Sequence, residues 1–259
     1  MKIAWFGKHF GEEPPISGDK GSGTIFFSGC NLHCCFCQNW QISQQWLGKE
    51  YTVEELVDIM LKLQDQGSLN INLVSPTIWV FDIKQAIVMA RQKGLTIPIV
   101  YNTNAYDKLE DIKSLKGLID IYLPDYKYGD DNLGIKYSRC INYSKVAQKN
   151  ILEMLDQVGE DNIIVRHLVI PNNLDNTFEA LKTIRSFSPN ICLSLMIQYN
   201  PLYQAKNYPE INRKLSKDEY ERVMQYVEQL DFQNGYFQPW EENASEVLIP
   251  DFFKPNPFV

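Results

Sequence analysis

Six apolar runs of strand length alternate with longer amphipathic stretches, and that order constrains the fold of this 259-residue chain more than any other feature. The runs are residues 24–29, 71–74, 97–102, 118–123, 162–170 and 191–199. Helical stretches follow at 52–67, 81–94, from about 107, 143–159, 174–187 and 216–230. The first helix carries its own boundaries. Thr52 with Glu55 forms a capping box, and Gly67 stops it. The runs are nearly continuous rather than alternating, as in strands buried on both faces. Repeated strand–helix order makes such strands parallel, with right-handed crossovers. An open doubly wound sheet and a barrel both fit, and six units fall short of an eight-fold barrel. In either architecture ligands gather at the C-terminal ends of the strands. The residues just after each run are therefore the candidates for function.

Length permits one domain, expected over 1–259. Residues 1–22 would be an extension covering the barrel, and 200–259 a last helix and tail. The formal net charge is −7, which disfavours nucleic acid as a partner because phosphate binding needs a basic surface. No apolar run approaches the ~20 residues that span a bilayer, so no membrane is expected. The N-terminal text lacks the apolar core and cleavage site of an export signal. A cytoplasmic location follows as the expectation, and thiols clustered there point to metal or catalysis rather than disulfides.

Four of the six cysteines stand in "SGCNLHCCFCQNW", residues 28–40, after the first strand. Cys34 and Cys37 form a CxxC pair, and Cys30 extends it to CxxxCxxC. A structural zinc site normally has four ligands, often as two separated pairs, and no second CxxC occurs. A thioredoxin-like pair leaves Cys30 unexplained. Iron–sulfur clusters take thiolates, normally four per cubane, and three would leave one iron open to chemistry. Cys35 lies outside these spacings and reads as a thiol beside the loop. Cys192, in an apolar strand, reads as a small buried hydrophobe, and Cys140 as a packing or surface residue.

The motif "CNLHCCFC", with Phe36 before its last cysteine, resembles the signature of radical S-adenosylmethionine (SAM) enzymes. The flanking "GSGTIFFSGCNLHCCFCQNWQIS" is similar to the pyruvate formate-lyase-activating enzymes, most of all to their short branch without an extra ferredoxin-like insert. The segments "HFGEEPPISG", "YNTNAY", "DIYLPDYKY", "IVRHLVIP" and "SLMIQY" carry the likeness over most of the chain. The resemblance implies a partial (β/α)6 barrel in the α/β class. It implies a [4Fe-4S] cluster on Cys30, Cys34 and Cys37, with SAM chelating the fourth iron. Reductive cleavage would then give a 5′-deoxyadenosyl radical that abstracts a hydrogen atom. The implied partners are a flavodoxin- or ferredoxin-like electron donor and a glycyl-radical protein. A small-molecule or peptide substrate is the alternative within this class. A non-catalytic iron–sulfur or zinc protein is the alternative from another class.

The other strand ends supply polar groups. Where the activating enzymes carry a Gly-Gly-Glu turn for the SAM amino group, this chain has Ser75, Pro76 and Thr77, with no carboxylate. A plain proline-containing loop reads nearly as well. Asn102, Thr103 and Asn104 follow the third run, with Ala105 in the place of the relatives' Gly; turn residues are the alternative. Asp125 and Lys127 match the relatives' Asp-x-Lys near SAM; a surface ion pair is the alternative. In "VRHLV", Arg166 and His167 must face opposite sides of a strand. The resemblance assigns Arg166 to the SAM carboxylate, leaving His167 as a structural residue. Phe36 joins the cofactor-binding set. Gln198 and Tyr199 are pocket polar groups of low specificity; His9, Glu12 and Glu13 would cover the open side of the barrel or touch substrate, with a Pro/Gly loop of solvated acids as the alternative, and no catalytic residue is named.

Overall fold

The structure is a computed structural model and describes residues 1–240 and 249–258. Residues 241–248 and 259, part of the expected tail, lie outside the described residues. The elements run β1 (Lys2–His9), α1 (Pro14–Ser17), β2 (Ser22–Phe27), α2 (Trp40–Ser43), β3 (Lys49–Glu50), α3 (Val53–Asp65), β4 (Ile71–Val74) and α4 (Val80–Gln92). They continue with β5 (Ile99–Thr103), α5 (Leu109–Ser114), β6 (Ile121–Pro124), α6 (Asp131–Ser138), α7 (Tyr143–Val158) and β7 (Ile164–Leu168). The last are α8 (Leu174–Phe187), β8 (Cys192–Met196), α9 (Lys217–Leu230) and β9 (Asn234–Phe237).

The expected parallel strands pair in order β2-β4-β5-β6 and β7-β8, with β9 added parallel to β8. Two bridges, Tyr122 to Ile163 and Asp125 to Arg166, join the halves across β6 and β7. The fold is thus α/β, a curved parallel sheet of partial-barrel form. β1 pairs antiparallel with β2 and carries β3 on its far edge. Its mixed text, KIAWFGKH, is only partly buried, so it lacks the apolar run that marks the inner strands. α6 also escapes the sequence pattern, being eight residues long with Gly134 inside it.

Side chains two apart along a strand share a face, and this periodicity builds the interior in layers. Val100, Leu123 and Ile164 form an apolar base, plugged by Ile16 of α1. Two residues further along the same strands come Asn102, Asp125 and Arg166. One face thus changes from apolar at the base to polar at the mouth. The outward set, including Ile25, Leu73, Tyr101 and Tyr122, enters the main core beneath the helices. His167 faces that side. Its Nδ1 bonds the carbonyl of Tyr126 at 2.7 Å and its Nε2 meets Thr177 Oγ1 at 3.1 Å. A carbonyl only accepts, so Nδ1 carries the proton, and burial lowers the imidazole's pKa to about 4. No helix among the described residues is long and apolar enough to cross a membrane.

α9 begins with a capping box, Ser216 and Glu219, and Glu219 has further partners. It accepts from Asn172 N at 2.6 Å and from Arg213 at 2.7 and 2.8 Å. Burial pushes this carboxyl up, but Arg213 and the backbone N–H groups outweigh it and hold it at about 2. The stabilisation is full above the ordinary carboxyl pKa of about 4.3 and is lost as pH falls from there towards 2. Glu219→Ala should lower stability by about 1–3 kcal/mol at pH 7. It should also flatten the decline in stability below pH 5, as read by urea unfolding at stepped pH. A variant whose pH slope matches that of the parent protein contradicts this.

Candidate active site

The cysteine loop leaves β2 and is held by backbone bonds to the end of α6. His33 N donates to Ser138 O at 3.0 Å and Cys35 N to Tyr137 O at 2.7 Å. These carbonyls belong to the last turn of α6, whose C=O groups lack helical partners. Cys30, Cys34 and Cys37 line one wall of a cavity of about 1060 Å³. Cys35 points away from it into the core at 3% exposure. Each lining sulfur has a polar neighbour. Ser138 Oγ lies 2.9 Å from Cys34, Ser43 Oγ 3.3 Å from Cys37, and Asn104 Nδ2 3.4 Å from Cys30.

Burial pushes the loop thiols up, Cys30 to about 11 and both Cys35 and Cys37 to about 12. Cys34 is raised as well, with Lys127 acting against its burial. Thiols in such a place become thiolates only when a cation takes the place of the proton. Tetrahedral zinc at Zn–S of about 2.3 Å needs its sulfurs about 4 Å apart. A structural zinc site is also closed by a fourth protein ligand, and the fourth thiol of this loop, Cys35, lies in the core away from the cavity wall. Three thiols on one wall, each beside a polar group and facing polar strand ends, fit a multi-iron cluster held by three cysteines.

The strand ends after β4, β5 and β6 are tied together behind this wall. Ser75 N donates to Asn102 O at 3.0 Å, and Asp125 N donates to Thr103 O at 2.8 Å. Ser75 and Ala105 have φ of 58° and 59°, the left-handed conformation that glycine adopts most easily. Ala105 therefore keeps a glycine-type turn without glycine, at about 1 kcal/mol. Asn104 bridges to the cysteine loop through Asn31 at 2.8 Å. Thr77 is not on the cavity wall; its hydroxyl faces Thr103 Oγ1 at 3.2 Å. Thr103 donates to buried Asp107 at 2.6 Å and Tyr101 does so at 2.9 Å. Burial raises the pKa of Asp107 against these hydroxyl donors.

Asp125 and Lys127 pair at 2.5 Å on the wall. Burial works against the Lys127 charge, but the Asp125 carboxylate outweighs it and keeps the ammonium protonated. Arg166 also lines the cavity, with its guanidinium already engaged. Glu13 accepts from Nε and Nη2 at 2.7 and 2.5 Å, Glu12 also accepts from Nη2, and Asn102 Oδ1 lies 3.3 Å from Nη1. Burial raises the Glu13 carboxyl, and Arg166 more than reverses this to leave it low. Phe36 packs on Tyr199 with ring centroids 5.5 Å apart, while Tyr199 OH donates to Ile211 O. His9 packs against Phe258 with the rings tilted by 40° and centroids 4.2 Å apart, at another part of the wall.

The cavity thus brings together Cys30, Cys34, Cys37, Phe36, Ser75, Asn102, Asn104, Asp125, Lys127 and Arg166, and leaves Thr77 behind the wall. Sequence reasoning missed Ser43, Asp107, Ser138 and Tyr143. Tyr143 OH lies 2.9 Å from Asn104 O and 2.8 Å from Asp125 O, and accepts from Lys127 N. Of the four, Ser43 and Asp107 meet partners close in sequence, Cys37 for the one and Tyr101 and Thr103 for the other.

The uncharacterized protein MJ0674 of Methanocaldococcus jannaschii is 36% identical over 230 residues, covering 85% of this chain and 65% of its own length. The pyruvate formate-lyase-activating enzyme of Clostridium pasteurianum is 24% identical over 185 residues, 68% of this chain and 73% of that protein. Among solved structures, Streptococcus suis SuiB bound to S-adenosylmethionine has a TM-score of 0.60 at 15% identity, over 86% of this chain and 53% of that one. This last likeness is one of fold. The chain therefore spans just under two thirds of MJ0674 and about half of SuiB. The Radical SAM superfamily profile matches residues 24–184, more than half of the sequence and including the whole cysteine loop. With this match, the chain belongs to the radical SAM superfamily, whose members use a [4Fe-4S] cluster and S-adenosylmethionine.

Proposed function

We propose that this chain is a radical SAM enzyme that abstracts a hydrogen atom from a glycyl residue of a partner protein. The observation that carries the reading is the convergence of three thiols, with Cys35 turned away, on a wall facing polar strand ends. Cys30, Cys34 and Cys37 would hold the cluster, leaving one iron for the amino and carboxylate groups of SAM. Once bound and reduced, cluster and SAM supply a 5′-deoxyadenosyl radical. The protein's part is to bind, orient and exclude water. Phe36, fixed against Tyr199, gives an apolar surface beside the loop. Ser75, Asn102 and Asn104 offer carbonyl and amide groups, and Asp125 with Lys127 offers both signs of charge. Arg166 can meet the SAM carboxylate by exchanging Glu12 for it, with Glu13 keeping the guanidinium in place. Thr77 acts through Thr103 rather than by touching the cofactor.

The glycyl substrate is supported by the Clostridium pasteurianum relative, named an activating enzyme. A flavodoxin- or ferredoxin-like protein would supply the electron. A small-molecule or peptide substrate is a second reading, favoured by a cavity of about 1060 Å³, at the upper end of small-ligand pockets. Anaerobic reconstitution with iron and sulfide, then reduction and addition of SAM, should yield 5′-deoxyadenosine. An intact cluster that yields none, with or without a candidate glycyl-radical protein, contradicts the enzyme reading. A glycyl-radical signal on a partner encoded nearby selects the first substrate class over the second.

A further inference from the structure

We propose that Tyr128 and Ser138 form a hydroxyl relay ending on Cys34, which raises the reduction potential of the cluster held there. The inference rests on the preceding reading of Cys34 as an iron ligand. Ser138 Oγ lies 2.9 Å from Cys34 Sγ, and Tyr128 OH lies 2.6 Å from Ser138 Oγ. An iron-bound thiolate has no hydrogen and can only accept. Ser138 has one hydroxyl hydrogen, which goes to the sulfur. Ser138 must then accept from Tyr128, so the relay has a single direction, Tyr128 to Ser138 to Cys34.

Ser138 is 1% exposed and Tyr128 fully buried, so no bulk water competes for these bonds. The position is fixed as well. The carbonyls of Tyr137 and Ser138 receive the N–H groups of Cys35 and His33, which flank Cys34. Ser138 therefore cannot move away unless the loop moves with it. The neighbours of Cys37 and Cys30 stand at 3.3 and 3.4 Å, so Cys34 has the shortest sulfur contact of the three. One-electron reduction adds negative charge to the cluster and its sulfurs. A hydroxyl aimed at a sulfur binds the more negative state better, and hydrogen bonds to sulfur are one of the levers on such potentials. The sulfur and Ser138 are 104 residues apart in sequence, and "KYSRC" carries no motif that would single the serine out.

The test is an EPR-monitored redox titration of the reconstituted protein without SAM, for the parent and for Ser138→Ala, Ser138→Thr and Tyr128→Phe. Ser138→Ala should load iron like the parent. Its ratio of reduced to oxidised cluster at a fixed potential should fall about tenfold, equivalent to 59 mV for a one-electron couple. Tyr128→Phe should shift the same way by less, and Ser138→Thr should keep the parent potential. Unchanged potentials in Ser138→Ala and Tyr128→Phe overturn the relay while leaving the cluster assignment intact. An equal drop in Ser138→Thr and Ser138→Ala overturns it too, since the hydroxyl is then not the cause. If Ser138→Ala fails to fold or load, Tyr128→Phe decides, and an unshifted potential overturns the relay. A parent protein that takes up no iron overturns the relay together with the reading beneath it.

Discussion

Replacing Cys30, Cys34 or Cys37 with alanine should abolish cluster assembly and SAM cleavage, whereas Cys35→Ala should leave the iron content unchanged. Loss of a contact behind a metal ligand costs about 10–100-fold in affinity or activity. Loss of one of the three proposed protein ligands should exceed that range. The contrast with Cys35 is the sharper part. All four thiols crowd into one loop and all are raised by burial. Charge therefore does not distinguish them, and position does. The Cys35 backbone is fixed between Tyr137 O and Gln204 N, which turns its side chain into the core rather than the cavity. Its truncation removes a small buried group at a cost of about 1 kcal/mol. Iron per chain and 5′-deoxyadenosine yield measure both arms. A Cys35→Ala protein that loses its iron would show the triad to be misassigned.

Arg166→Met should cost about 3–5 kcal/mol of folding stability, the range for a buried ion pair left with one partner. Two carboxylates, Glu12 and Glu13, depend on this guanidinium, and their side chains are 9% and 7% exposed. Without it, both are left charged in a place that water barely reaches. The consequence extends to the whole N-terminal segment. Glu12 also accepts from Asn72 Nδ2 at 2.9 Å, and Ile16, four residues on, plugs the apolar base of the barrel. The triple substitution Arg166→Met, Glu12→Gln, Glu13→Gln should recover much of the loss, because neutral amides do not strand a charge there. Urea unfolding of the three proteins at pH 7 tests this. A single variant within 1 kcal/mol of the parent, or a triple variant no better than the single, contradicts it.

The contrast between these two sites reflects what a sequence can express. The inner strands were legible because burial on both faces leaves continuous apolar text, as in "INLV" and "ICLSL". β1 was not, since a partly buried strand outside the parallel set mixes lysine and histidine with its apolar residues. The grouping of Cys30, Cys34 and Cys37 on one wall was legible because their spacing is local. Strand alternation put Arg166 and His167 on opposite faces without saying which faces the pocket, the resemblance chose Arg166, and the fold places it in the cavity and His167 against α8. What alternation could not supply was the double carboxylate on Arg166, which comes from more than 150 positions earlier. Ser138, 104 positions from Cys34, was missed for the same reason. A serine acquires its role from what the fold brings beside it, and nothing in the adjacent text records that.

The attachment of the cysteine loop to the last turn of α6 has a consequence for damage and repair. The bonds from His33 and Cys35 to Ser138 and Tyr137 join main-chain groups that iron never touches. The cradle should therefore stand without iron, and the His33 and Cys35 amides should resist deuterium exchange equally in the loaded and the iron-free protein. A scaffold of this kind should take up iron again without passing through an unfolded chain.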